Sequence, residues 1–144
     1  MPFISVTRLR VRSIRFLPFF LLYALRSLRQ AKRSFGFQSG SLLGDHNRAF
    51  WTMTAWDSQE SMRGFMTTGA HKAAMPRLLD WCDEASVVHW DQAEAAPPSW
   101  TEADQRMRAS GRASKVRKPS PQHATLTYPT PRASSGTQIQ PARK

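Results

Sequence analysis

The sequence predicts an α+β fold in the order β-α-β-β-α-β, and three observations carry that prediction. The runs "FISVTRLRV" (Phe3 to Val11) and "RAFWTMTAW" (Arg48 to Trp56) are rich in the β-branched and aromatic residues that suit a pleated, half-buried surface. Apolar residues recur at helical spacing after each of these runs. The turn-forming "GDHN" (Gly44 to Asn47) joins two strand-like segments as a hairpin.

The elements follow in order. In the first strand Ile4 and Val6 lie on one face and Leu9 and Val11 on the other, which calls for a bulge or for burial of both faces. Pro18 suits the first turn of the next helix, where no backbone donor is needed. Leu17, Leu21, Ala24, Leu25, Leu28 and Ala31 recur along that helix at the expected spacing. Phe16, Phe19, Phe20, Leu22 and Tyr23 make its first two turns apolar almost all round, which demands another subunit or a membrane surface as a second partner. "FGFQSGSLL" (Phe35 to Leu43) reads as a glycine-interrupted strand and pairs with Arg48 to Trp56. Asp57, with Glu60 three residues on, reads as the N-cap of a helix that buries Met62, Phe65, Met66, Gly69, Ala70 and Ala73 and ends near Pro76. Leu78, Leu79 and Trp81 suggest a short further helical piece, and "ASVVHWDQ" (Ala85 to Gln92) a last strand. This is the split βαβ order of a ferredoxin-like sandwich, with helices on one sheet face. The other face needs a cover, and a homodimer closing two sheets on each other supplies it.

One domain is therefore expected over residues 1–95, and a tail over 96–144. Residues 1–44 carry eight Lys or Arg and no carboxylate, residues 45–95 four basic and eight acidic side chains, and residues 96–144 nine basic and two acidic. The tail is rich in Pro, Ser, Thr and Arg/Lys without periodicity, so it is expected to be disordered or draped over the domain, with a short helix near Thr101 to Ala109. Its basic residues are candidates for anionic partners. Beyond Trp100 its lone aromatic is Tyr128, so it lacks the interleaved aromatics of a base-stacking platform, and specific nucleic-acid binding is not expected. The uncharged run Phe16 to Leu25 is too short to span a bilayer and reads as a helix of the fold. A cytoplasmic protein is expected, with peripheral membrane contact through that helix as an alternative.

Among the chemically capable residues, His71 in "TGAHKAA" is the candidate acid or base, because small neighbours leave room around an imidazole that titrates near neutrality. His89 reads as a sheet-face histidine. Trp51, Trp56 and Phe65 are the candidate walls of an aromatic pocket. Cys82 is flanked by Asp83 and Glu84, which raise a thiol pKa and so oppose nucleophilic use; Asp80, Asp83 and Glu84 read as a solvated helix end. Arg8, Arg10 and Arg12 share one strand face, as steering charges or as guards of an exposed edge. Four scattered histidines and one cysteine have no metal-ligand spacing, and no phosphate loop, serine elbow or dinucleotide fingerprint is present, so neither metal nor cofactor is expected.

The hairpin strand followed by "AWDSQESMRGFMTTGAHKAA", together with "FGFQSGSLL", resembles the antibiotic-biosynthesis-monooxygenase family of the dimeric α/β-barrel superfamily, over residues 3–92. The same stretch has some likeness to spheroidene-type monooxygenases. The resemblance implies a homodimeric, cofactor-independent monooxygenase-like protein that oxidises a hydrophobic or aromatic small molecule, with His71 as acid or base. The haem-degrading branch places Asn, Trp and His where this chain has Thr7, Phe65 and Met75, so that activity is not expected. The competing expectation is a non-catalytic dimeric module whose basic tail meets anionic partners.

Overall fold

In the computed structural model residues 2–94 and 96–131 are described, together with the backbone of 137–139. The strands are β1 (Phe3–Val11), β2 (Phe37–Gly44), β3 (Ala49–Trp56), β4 (Cys82–Asp91), β5 (Arg112–Ala113) and β6 (Thr137–Ile139). The helices are α1 (Leu17–Lys32), α2 (Gln59–Met66), α3 (Gly69–Trp81) and α4 (Trp100–Ser110). The strands form one antiparallel sheet in the order β5-β4-β1-β3-β2-β6, whose middle four are the ferredoxin-like set.

β1 is central, and both its faces are buried, so both resolutions of its changing apolar phase are realised. Ile4 and Val6 face one side, Val11 faces the other, and the register against β4 shifts between Arg10 and Val11. On the α1–α3 side, Phe3, Phe37, Trp56, Met62 and Ala31 pack at one end, and Val11, Phe20, Trp81 and Cys82 at the other.

The opposite face is covered by the chain itself. Trp100, Ala103 and Met107 of α4, with Tyr128 beyond it, pack on Ile4, Val6, Trp51, Met53, Ala55 and Val88. Trp51 meets Trp100 and Tyr128 edge-on, at 6.5 and 5.5 Å between ring centroids. The open face that called for a partner is therefore occupied, and two sheets cannot close on each other while α4 is in place. Residues 100–131 are draped: Ser114, Arg117 and Ser120 donate backbone bonds to the carbonyls of Ala85, Leu79 and Asp83. His123 accepts from the Ala85 amide through Nδ1 and donates to the Ser114 carbonyl through Nε2. This part of the tail shares one core with the sheet, so residue 95 does not separate two cores. The expectation of disorder for 132–136 and 140–144 lies outside the described residues.

Beside this aromatic cover is a buried ion pair. Arg8 is 5% exposed and Glu84 6%, and they meet at 2.7 Å. Arg10 adds a bond to Glu84 at 3.1 Å, and the Ser120 hydroxyl donates to the same carboxylate at 2.7 Å. The guanidinium groups of Arg8 and Arg108 lie over the Tyr128 ring at 4.5 and 4.1 Å. Two expectations are corrected here. Arg8 and Arg10 guard no edge, because β1 lies between β3 and β4, and Glu84 belongs to a strand interior rather than a solvated helix end. Opposite charge one strand away is what lets both be buried.

The helical region after β3 also differs from expectation. Ser58, not Asp57, caps α2, accepting from the Ser61 amide at 3.2 Å. One predicted helix is two, because the hydroxyls of Thr67 and Thr68 donate to the carbonyls of Arg63 and Gly64 and Gly69 turns the chain at φ +59°. Pro76 falls inside α3 rather than at its end.

Replacing Trp100 by Ala removes the centre of the α4 cover and is expected to destabilise the fold by about 3 kcal/mol in urea unfolding. For Glu84, burial raises the carboxyl pKa, but the bonds from Arg8 and Ser120, the Arg8 charge and the Arg10 bond outweigh it and hold it below the ordinary 4.5. A carboxylate depressed in the folded state stabilises fully above about pH 4.5 and loses that contribution as pH falls through its lower folded value. Glu84→Gln is therefore expected to lose about 3 kcal/mol near neutral pH and to flatten the acid limb of the stability curve.

Candidate functional site

A cavity of about 220 Å³ lies between the sheet and helices α1–α3. Its floor is set by strand register. Ser5 stands between Thr54 and His89, and Thr7 between Thr52 and Val87. Gly40 and Leu42 of β2 extend these two rows. Four small hydroxylated side chains thus replace the large apolar residues that would otherwise fill this layer, and the helices rest on the larger side chains at either end. The roof is Tyr23, Ala24 and Leu28 of α1, Phe65 and Met66 of α2, and His71, Ala74 and Leu78 of α3. Two exposed residues, Met75 and Lys115, stand at its rim.

His71 is held by a side chain from α1. The Gln30 side chain accepts from the His71 amide through Oε1 at 2.8 Å. Its Nε2 donates to the carbonyls of Phe65 and Thr68 at 3.0 and 2.7 Å. One amide thus satisfies the backbone groups freed where α2 and α3 separate. A Cβ at Gly69 would stand 3.1 Å from the Gln30 side chain, so the glycine also makes room for this clamp. The His71 ring packs on Phe65 at 4.7 Å and its Nδ1 lies 3.1 Å from the Met66 carbonyl. A carbonyl only accepts, so Nδ1 carries the proton and the neutral ring presents Nε2 as a bare lone pair. Burial lowers the His71 pKa, and the bond to Met66 opposes this only in part.

His89 is the second imidazole of the cavity. Its ring packs on Phe3 at 5.4 Å, and its Nε2 is buried without a hydrogen-bond partner. Burial lowers its pKa, and the charges of Arg112 and Arg63 lower it further. Two neutral imidazoles thus share a mostly apolar cavity.

Of the residues expected at the site, His71 and Phe65 line this cavity. Trp56 sits behind Phe65, stacked on it at 5.2 Å, and supports the wall from outside. Trp51 is on the other sheet face, and its indole donates to Asp45 at 3.0 Å. Thr7 and Met75, at the haem-branch positions, line the cavity too. The Cys82 thiol is buried and pushed up to about 12 by burial and by the Asp83 charge, which leaves it protonated at neutral pH. The floor residues and Gln30 were missed; alternating small residues at 5 and 7 and at 52 and 54 were the available signal. Among the described residues no three His, Cys, Asp or Glu side chains are grouped as metal ligands would be.

This ferredoxin-like sheet with helices α1–α3 on one face is the fold of antibiotic-biosynthesis-monooxygenase-like proteins. Solved structures of similar architecture include one from Nitrosomonas europaea described as of the antibiotic biosynthesis monooxygenase type, at 13% identity and TM-score 0.59, covering 66% of this chain and 93% of that one. SnoaB, a cofactor-independent oxygenase from Streptomyces nogalater, matches at 14% identity and TM-score 0.55, over 67% of this chain and 98% of that one. A conserved protein from Methanosarcina mazei matches at 12% identity and TM-score 0.58, over 64% and 93%. Identities this low establish the fold alone. The chain itself belongs to the family described as Domain of unknown function (DUF3291), whose profile matches residues 26–136 and so runs through α4 and the draped segment. No curated protein matches the sequence closely enough to count as a relative.

The ring protons of His71 and His89 are expected to titrate below pH 6.5 in NMR spectra. Because both pKa values are lowered by folding, the unfolded chain takes up protons first, and each histidine is expected to reduce stability as pH falls below 6.5.

Proposed function

We propose that the cavity binds a hydrophobic or aromatic small molecule and that the protein oxidises it as a cofactor-independent monooxygenase-like enzyme. The observation that carries this reading is a mostly apolar cavity in which a clamped, neutral imidazole is the candidate base. At about 220 Å³ it exceeds the roughly 150 Å³ known to hold benzene, so one or two fused rings fit. His71 Nε2 would take a proton from an acidic C–H or O–H of the substrate. The carbanion would give its electrons to dioxygen; the substrate supplies both electrons and both hydrogens, one oxygen atom enters the product and the other leaves as water. The floor hydroxyls offer polar contacts to a developing oxyanion or a substrate oxygen. SnoaB, a cofactor-independent oxygenase of similar architecture, adds support by analogy of fold.

The alternative in which the basic tail recruits anionic partners is less favoured. Arg106, Arg108 and Arg117 are engaged within the chain, by Glu102, by Asp104 and the Tyr128 carbonyl, and by Asp80.

Binding of a naphthalene-type fluorophore is the direct test of the cavity, and Thr52→Trp, which fills the floor, is expected to abolish it. With a phenolic bicyclic substrate, turnover is expected to require oxygen and to fall at least about a hundredfold in His71→Ala. Turnover under anaerobic conditions, or wild-type rates in His71→Ala, would overturn the proposal.

A further inference from the structure

Apart from the Phe19 ring, which stacks on Trp81 of α3 at 6.3 Å, the outer side of α1 is exposed. Phe19 is 56% exposed, Leu22 45% and Leu25 57%, and Phe35, 84% exposed, follows the helix. None of these lines the cavity. At helical spacing the same outward stripe turns basic in its second half, with Arg26, Arg29, Lys32 and Arg33 all exposed. Arg15 stands at its start, and Arg77 of the neighbouring α3 lies over the Tyr23 ring at 5.3 Å. Residues 1–44 contain no carboxylate to offset these charges.

We infer that this surface docks the protein on an anionic lipid membrane, with Phe19, Leu22 and Leu25 seated among the acyl-chain ends and the arginines and lysine on the headgroups. Membrane-surface helices combine exposed apolar side chains with Lys and Arg that reach the headgroups, and here the two halves of one outward stripe supply them; an exposed apolar patch of this kind is otherwise unfavourable in water. Charge decides the occupant. A second copy meeting this face about a twofold axis would bring two carboxylate-free basic stripes together, whereas an anionic bilayer neutralises them. No helix among the described residues is long and apolar enough to cross a membrane, so the contact is peripheral. Docking of this kind depends on the outer stripe of α1 and not on the chemistry of the cavity beneath it.

The 144-residue chain is to be sedimented with vesicles of phosphatidylcholine alone and of phosphatidylcholine mixed with phosphatidylglycerol, at low and high salt. Binding is expected on the mixed vesicles only and is expected to weaken with salt. Leu22→Ser/Leu25→Ser and Arg29→Gln/Lys32→Gln/Arg33→Gln are each expected to reduce partitioning at least about tenfold, with an unchanged circular dichroism spectrum and unchanged fluorophore binding in the cavity. The inference is overturned by absence of binding to the mixed vesicles, by either variant binding as the wild type does, or by a solution dimer that Leu22→Ser/Leu25→Ser dissociates.

Discussion

Burial of β1 on both faces is the constraint on which the rest of this structure depends. A central strand with Ile4 and Val6 on one side and Val11 on the other requires cover on each side, since an exposed apolar sheet face is open to association. The chain covers both. The helices α1–α3 take one side, and α4 with the segment through Tyr128 takes the other. Because the second cover comes from the same chain, the sheet face is filled by Trp100, Met107 and Tyr128, and is closed to a facing sheet.

The two faces are filled differently, and the difference produces the cavity. On the α4 side large residues interlock: Trp51 and Met53 meet Trp100 and Met107, and the Arg8–Glu84 pair is locked beside them under Tyr128. On the helix side the strands offer Ser5, Thr7, Thr52 and Thr54 side by side, too small to reach the helices above them. The void persists because large side chains at both ends, Trp56 with Phe37 and Phe20 with Trp81, hold the helices off the floor. Gln30 then fixes the α2–α3 junction and with it His71. The cavity and its candidate base are thus products of packing contrast within one sheet.

Much of the fold was legible because it rests on local chemistry. Period-2 alternation in Arg48 to Trp56, the turn at Gly44 to Asn47 and the helical spacing of Leu21, Leu25 and Leu28 each act within a few residues. The draped segment was harder to read, because its apolar residues are sparse. Trp100, Ala103 and Met107 recur at i, i+3 and i+7, but the Pro- and Ser-rich stretch that follows masks them. The site was legible only in part: His71 and Phe65 announce themselves by residue type and neighbours, whereas Gln30 and the four floor residues matter through partners distant in sequence.

The sequence by itself determined the element order, the helix-side placement of Phe65 and His71, the unreactive setting of Cys82 and the unbalanced charge of the first 44 residues. Each follows from neighbours along the chain. Tertiary structure alone decided that Trp51 faces α4 rather than a pocket, that Glu84 is a buried partner of Arg8 and Arg10, and that the tail covers the second sheet face. These depend on which strands lie side by side and what lies over them. Register between β1 and its two neighbours brings Arg8 level with Ser86 and Thr7 level with Thr52, and no local pattern encodes a pairing across 40 to 80 residues of chain.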